Sequence, residues 1–128
     1  MKKIWISCIV FVALAACNND SASKTDAKDA KPAESSLSNN PDYQKGLELI
    51  ANSDCLTCHK VDEAYTGPTY RDVANKYASQ APGIIPELAG KIVKGGSGVW
   101  GQVPMTAHPA ISQADAEAMV KYILLLKK

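Results

Sequence analysis

The chain has 128 residues, of which 46% are hydrophobic, with 14 basic and 13 acidic side chains. Two of the lysines stand at positions 2 and 3, so residues 17–128 carry 12 basic and 13 acidic side chains, a net charge of −1. Binding to DNA or RNA needs an excess of positive charge on one face, so this balance predicts a protein with no nucleic-acid partner.

The first 17 residues have the pattern of an export signal. Lys2 and Lys3 precede an apolar run over 4–13, which is too short to cross a bilayer as a helix. The ending Leu-Ala-Ala-Cys resembles the lipobox of bacterial lipoproteins, in which the cysteine becomes the lipidated N-terminus. The resemblance predicts a signal peptide over 1–17 and acyl chains on Cys17 that anchor the protein. The alternative is an ordinary cleaved signal in which Cys17 has no role.

The next segment, residues 18–40, is predicted to be a flexible linker. It contains one large apolar residue, Leu37, among many Ser, Asn, Asp, Lys and Ala residues. Such a composition cannot bury enough apolar surface to offset the entropy lost on ordering. As a flexible coil it would span roughly 25 Å.

Residues 41–128 are predicted to form one small all-α domain, because their apolar residues recur with the period of a helix. Asn40 and Pro41 are typical of a helix start, and a second helix is predicted over 69–78. The residues expected on the inner faces of these two helices are Tyr43, Leu47, Ile50, Tyr70, Val73, Ala74 and Tyr77.

Two more helices are predicted in the second half of the domain. One has Pro86 in its first turn and ends at Gly95, and the other is capped by Ser112 with Asp115 three residues later. No stretch alternates clearly enough to predict a strand. The residues expected on the inner faces are Ile84 or Ile85, Leu88, Ile92, Met119, Tyr122, Ile123 and Leu126.

Two long loops are predicted over 55–68 and 95–111. Long irregular segments in a small domain are usually functional or wrapped around something. A domain of this size buries only about 60–65% of its unfolded surface, so its core is marginal without further support. A flat apolar cofactor at the centre, with both loops packed on it, would supply the missing core.

The first of these loops opens with two cysteines and a histidine, Cys55, Cys58 and His59. On a helical turn these positions share one face, so all three side chains can address a single planar group. Two thiols can add to the vinyl groups of a porphyrin while the imidazole binds its iron, and C-x-x-C-H is the sequence signal for that attachment. With Cys8 in the signal and Cys17 lipidated, no other cysteine remains for the folded domain.

Three other interpretations of these cysteines are weaker. A thioredoxin-like redox pair needs a preceding strand and a βαβ context, which the helical pattern does not provide. A zinc site needs further ligands, and the only other histidine, His108, is 49 residues from His59. A disulfide between Cys55 and Cys58 would close too small a loop to stabilise the domain much.

Four separated motifs follow one another along the domain: DCLTCH at 54–59, YTGPTYRDVA at 65–74, GGSGVWGQVPM at 95–105, and a terminal amphipathic helix. In order and spacing they resemble a class I cytochrome c of the short bacterial monohaem type. The resemblance covers 41–128. It implies a small cytochrome c fold of about four helices wrapped around one covalently attached haem c.

The resemblance implies a role for each residue around the C-x-x-C-H motif. Cys55 and Cys58 match the thioether attachment positions, and His59 matches the proximal iron ligand. Pro68 matches the position whose backbone carbonyl accepts the Nδ1 proton of that histidine. Such a contact fixes the tautomer and the direction of the ring.

The resemblance also assigns residues outside this motif. Met105 matches the distal iron ligand, the alternative being a methionine that only fills the core. Trp100 matches an aromatic residue near the haem propionates, the alternative being plain packing of its indole. Gly46 and Tyr122 match the small residue and the facing aromatic at which the first and last helices cross.

His108 departs from the pattern of the family. It lies three residues after Met105, where the family commonly has an asparagine that helps to orient the sulfur. We expect His108 to be a loop histidine near solvent. The alternative is that it replaces Met105 as the iron ligand.

The function implied is that of an electron carrier, not an enzyme, whose haem iron cycles between Fe(II) and Fe(III) with His/Met ligation. We expect a monomer on the periplasmic side of a bacterial membrane, held by its lipid anchor. The expected partners are redox proteins: a reductase or terminal oxidase, and a quinol-oxidising complex. The alternatives are a haem enzyme or gas sensor with an open sixth position, and a fixed electron-transfer subunit of an oxidase or reductase.

The charge of the domain bears on how it meets a partner. Residues 41–128 carry nine basic and nine acidic side chains. This balance predicts little long-range electrostatic steering of the whole domain. We therefore expect docking through an apolar patch around one exposed haem edge, with a small interface.

Overall fold

The computed structural model describes residues 36–128 of the chain. The predicted signal peptide over 1–17, including Cys17, and most of the predicted linker lie outside the described residues. Within the described range, no helix combines the length and the apolar character needed to cross a membrane.

Four α-helices are the main regular elements of the described chain, and the predicted helical fold class is confirmed. The helices are α1 (Pro41–Ala51), α2 (Tyr70–Tyr77), α3 (Ile85–Lys94) and α4 (Gln113–Leu125). Two 3-10 turns, Asp54–Thr57 and Ala78–Gln80, follow α1 and α2. The helices lie where the sequence predicted them.

Side-chain caps explain where three of these helices begin. Asn40, Thr69 and Ser112 each accept a hydrogen bond from a backbone N–H two or three residues later, at 2.9–3.1 Å. Each cap satisfies one of the backbone donors that the first turn of a helix leaves without a partner. At its other end, α3 terminates at Gly95, whose φ of 72° ends the helical conformation.

Helix α4 is the central element of the core and contacts α1, α2 and α3. Twelve residues form one buried apolar cluster around it: Ile50, Tyr70, Ala74, Ala89, Ile92, Ala116, Met119, Val120, Tyr122, Ile123, Leu124 and Leu126. The predicted inner face of the last helix is confirmed. Leu47, by contrast, is 39% exposed, so its predicted inward position is wrong.

The close crossing of α1 and α4 explains why Leu47 lies outside the core. A Cβ atom on Gly46 would overlap the carbonyl oxygen of Ala118 and the Cβ atom of Tyr122. The ring of Tyr43 packs edge-on against that of Tyr122, with the ring centroids 4.9 Å apart. The buried face of α1 is therefore centred on Gly46, which leaves Leu47 at its margin.

The prediction that 95–111 contains no strand is wrong. Strand β1 (Gly96–Gly98) pairs antiparallel with β2 (Gly101–Met105), with Gly96 opposite Met105. Strand prediction relies on alternating buried and exposed side chains. Here most strand residues are exposed and three are glycines, so that pattern is absent from the sequence. The hairpin places Met105 at the end of its second strand.

Candidate functional site

A cavity of about 380 Å³ lies among the Asp54–Thr57 turn, the β-hairpin and the inner sides of the helices. Of the predicted site residues, Cys17 lies outside the described part of the chain. All the others line this one cavity: Cys55, Cys58, Pro68, His59, Trp100 and Met105.

The rest of the cavity wall is largely apolar. The aliphatic residues that the helices contribute to the lining are Ile50, Val73, Leu88, Ile92, Val120 and Ile123. Several of these also belong to the buried cluster or pack against it, so a group bound in the cavity would extend the core. A shallower groove along α3 contains none of the predicted site residues.

The turn after α1 places both thiols and the imidazole on the cavity. The carbonyl oxygen of Cys55 accepts hydrogen bonds from the N–H groups of Cys58 and His59, at 3.3 and 3.0 Å. These bonds close a tight turn, from which all three side chains line the same cavity. Both cysteines are free thiols. Burial, and the nearby carboxylate of Asp54, raise the pKa of the Cys55 thiol.

A hydrogen bond at Nδ1 holds the ring of His59 in place. Its Nδ1 atom lies 2.8 Å from the carbonyl oxygen of Pro68. A carbonyl can only accept a hydrogen bond, so Nδ1 carries a proton, and in the neutral imidazole Nε2 then keeps a lone pair. This is the arrangement in which an imidazole can bind a metal through Nε2.

Two neighbours fix the plane of the His59 ring. Tyr70, which is 4% exposed, stacks on it with the ring centroids 5.4 Å apart and the planes 16° from parallel. On Gly67, a Cβ atom would lie only 2.5 Å from Cε1 of His59. The sequence placed Tyr70 on an inner helix face but gave no sign of this stacking, because the contact depends on how the loop folds back.

Met105 reaches the cavity from the end of β2. The backbone around it lies against Gly95: a Cβ atom there would be 2.5 Å from the carbonyl oxygen of Met105 and 2.9 Å from the N–H nitrogen of Ala107. Gly95 therefore lets the end of α3 support the methionine segment at close range. The thioether of Met105 is a soft, neutral donor of the kind that iron accepts.

Trp100 lies at the turn of the hairpin and is 46% exposed. Its ring packs edge-on against Tyr77, with the ring centroids 6.4 Å apart. The ammonium group of Lys76 lies 5.6 Å from the centroid of the indole. Trp100 therefore forms part of the cavity mouth, supported by the end of α2.

His108 lies in a loop, as predicted, and its side chain is partly exposed to solvent. Its side chain is 19% exposed, and its Nε2 atom is 3.0 Å from Oδ1 of Asp54. Within residues 36–128, the buried Nδ1 atom has no hydrogen-bond partner. The sequence contains no sign of this contact, because Asp54 is 54 residues away in the chain and no local pattern connects the two.

These residues fit a covalently bound haem. Two free thiols three positions apart, an imidazole with its Nε2 lone pair available and a thioether all face one cavity with apolar walls. The glycine at position 67 leaves room for the imidazole where any side chain would collide with it.

Comparison with known proteins agrees with this geometry. The sequence pattern described as cytochrome c matches residues 43–127. The chain belongs to the cytochrome c family. Over 84 residues this cytochrome c is 43% identical to cytochrome c-551 of Azotobacter vinelandii, a match that covers 66% of the chain and 100% of that protein.

Two further comparisons involve Nitrosomonas europaea. Cytochrome c-552 of that organism is 43% identical over 84 residues, which is 66% of this chain and 81% of the relative. The crystal structure of its wild-type cytochrome c552 superposes with a TM-score of 0.59 at 43% identity and covers 63% of this chain and 99% of the other.

Family membership settles the general properties of the protein. It has the small cytochrome c fold, and its cofactor is one covalently attached haem c. It is an electron carrier and not an enzyme. The predicted fold class, cofactor and electron-transfer role are confirmed.

Proposed function

We propose that this cytochrome c is a His/Met-ligated electron carrier, tethered by lipid to the periplasmic side of a bacterial membrane, that passes electrons between respiratory partners. The observation that carries the proposal is the shared cavity. It brings together the thiols of Cys55 and Cys58, the imidazole of His59 and the thioether of Met105.

Each of these four residues has a distinct role in the proposal. Cys55 and Cys58 would form the thioether bonds, His59 would bind iron through Nε2, and Met105 would provide the second protein ligand. The haem supplies an iron that alternates between Fe(II) and Fe(III). His/Met ligation raises the reduction potential, because a neutral thioether favours ferrous iron. With His59 and Met105 both bound to it, the iron would have no open position for a substrate, which favours a carrier over an enzyme or gas sensor.

The absorption spectrum tests this ligation most simply. The oxidised protein should show a sulfur-to-iron charge-transfer band, and carbon monoxide should not change the spectrum of the reduced protein at neutral pH. If carbon monoxide binds readily to the reduced protein, the sixth position is open and the proposed role as a carrier is wrong.

Docking is proposed to use the apolar surface at the cavity mouth. Val99, Trp100 and Val103 of the hairpin are 62%, 46% and 67% exposed, and Leu56 between the two cysteines is 40% exposed. With nine basic and nine acidic side chains over 41–128, the domain as a whole lacks a dominant charge. We expect a monomer that makes a small, transient interface with a reductase or terminal oxidase and with a quinol-oxidising complex.

The rate of electron transfer at different salt concentrations tests this mode of docking. Apolar contact predicts a weak dependence, because salt screens charges and not apolar surface. A steep fall in rate between low and physiological ionic strength would show instead that charge complementarity dominates.

The tether is proposed to consist of a lipidated Cys17 and the linker over 18–40. The lipobox-like ending of the first 17 residues supports it, as does a linker composition that favours an unfolded chain. Growth with a labelled fatty acid should label the parent protein and not a Cys17→Ala variant, which should leave the membrane fraction. Equal labelling of both would rule out Cys17 as the anchor. Stable co-purification with an oxidase from solubilised membranes would identify a fixed subunit in place of a shuttle.

A further inference from the structure

The side chains of Asp54 and His108 connect two segments that are far apart in the sequence. Nε2 of His108 lies 3.0 Å from Oδ1 of Asp54. Asp54 begins the turn that carries Cys55, and His108 follows Met105 by three residues. Both Asp54 and His108 line the cavity. The contact therefore joins the haem-attachment turn to the segment that carries the methionine.

The backbone of His108 is also anchored. Its N–H donates to the carbonyl oxygen of Ile92 in α3 at 3.1 Å, and its own carbonyl accepts from the N–H of Ile111 at 3.0 Å. The segment over 106–111, which continues the chain directly after Met105, lies outside any helix or strand. Fixed to α3 by its backbone and to Asp54 by its ring, His108 is well placed to hold this segment over the cavity.

We propose that the pair Asp54–His108 holds the Met105 segment closed over the haem, which makes His108 a positioning residue for the Met105 ligand. This inference rests on the proposed ligation by Met105. Detachment of Met105 from the iron requires its segment to move away from the cavity. The contact between Asp54 and His108 is one of those that must break during this movement. The pair thus favours the closed state over an open one.

Binding of imidazole to the oxidised protein measures this equilibrium. Imidazole can reach the iron only in molecules from which Met105 has detached. Its apparent affinity is therefore proportional to the fraction of molecules that are open. Asp54 is 70% exposed, and a pair of this exposure is worth at most about a fivefold change in an equilibrium constant. Asp54→Ala is therefore expected to tighten imidazole binding by about two- to fivefold at fixed pH and ionic strength.

A matched control separates this effect from the loss of one negative charge. Asp42→Ala removes a carboxylate that pairs with Lys121 at 3.3 Å, on α1 and away from the cavity lining. It should leave the affinity for imidazole unchanged. His108→Gln, whose amide can still donate to Asp54, should retain most of the affinity of the parent protein.

A double-mutant cycle shows whether Asp54 acts through His108. Asp54→Ala should have no further effect in a His108→Ala background. The inference is overturned if Asp54→Ala matches the Asp42→Ala control, or if it has the same effect in both backgrounds. An oxidised parent protein without the sulfur-to-iron band would overturn both the ligation by Met105 and this inference. A parent with the band but no effect of Asp54→Ala would overturn this inference alone.

Discussion

The imidazole of His59 and the carbonyl oxygen of Pro68 form a 2.8 Å hydrogen bond that fixes which nitrogen of the ring carries the proton. The bond holds Nδ1 in the protonated form and leaves Nε2 free to bind iron. It also brings the backbone of the preceding residue, Gly67, against the face of the ring. The ligand and the loop that orients it are therefore packed as one unit.

Replacing Gly67 by Ala tests this packing. The added methyl group would lie 2.5 Å from Cε1 and 2.8 Å from Nδ1 of His59, so either the ring or the loop must move. We expect the free energy of unfolding to fall by about 1–3 kcal/mol, the usual cost of overpacking a core. Guanidinium unfolding of the matured protein measures it. The control Gly83→Ala, whose added methyl would make only an ordinary 3.6 Å contact with the Gln80 carbonyl, should be nearly neutral. Equal effects of the two variants would contradict this account.

Gly46→Ala tests the crossing of α1 and α4. Its methyl group would overlap Ala118 and Tyr122, so the two helices would have to separate. We expect destabilisation of about 1–3 kcal/mol by thermal or chemical unfolding. Gly90→Ala is the matched control within a helix, since nothing lies within 4 Å of the added atom. Alanine there should stabilise the protein by up to about 1 kcal/mol, so the two variants should change stability in opposite directions.

Met105→Leu tests the proposed distal ligand. Leucine has a similar volume but no donor atom, so the oxidised protein should lose the sulfur-to-iron band and its reduction potential should fall. Carbon monoxide should bind to the reduced variant. Met119→Leu is the control, because the buried Met119 of α4 is 2% exposed and also lines the cavity, and its replacement should leave the sulfur-to-iron band in place. A Met105→Leu variant that keeps the band would show that another group binds the iron.

The carboxylate of Asp62 is expected to link stability to acid pH. The guanidinium of Arg71 hydrogen-bonds to it and, with a contribution from Lys128, lowers its pKa from 3.8 to about 2. A lowered folded-state pKa stabilises the protein above the unfolded value, and this stabilisation is lost as the pH falls through about 2. The difference in unfolding free energy between the parent and Asp62→Asn should therefore be present at neutral pH and disappear near pH 2. A difference that is constant across this range would show that the charge of Asp62 has no role.

The helices could be predicted because their signals are local. Asn40 and Ser112 have side chains that cap the first turn, and Gly95 ends α3 with a conformation that glycine adopts easily. The C-x-x-C-H run is equally local, since its residues lie within one turn of the chain. Leu47 was misplaced because the buried face of α1 is set by its closest approach to α4 at Gly46, which depends on a partner helix.

The remaining features depend on contacts between distant segments. The stacking of Tyr70 on His59 and the pairing of His108 with Asp54 appear only when the loops have folded back on the turn that carries the cysteines. The hairpin was missed for a different reason. Its strands are mostly exposed and rich in glycine, so they lack the alternation by which a strand is recognised.

Peptide mapping of the matured protein by mass spectrometry tests the central claim most directly. Digestion should yield one haem-containing peptide that spans 55–59, with the haem bonded to both Cys55 and Cys58 and neither thiol open to alkylation. Recovery of that peptide without haem from the coloured, matured protein, with both cysteines alkylated, would contradict the proposed site.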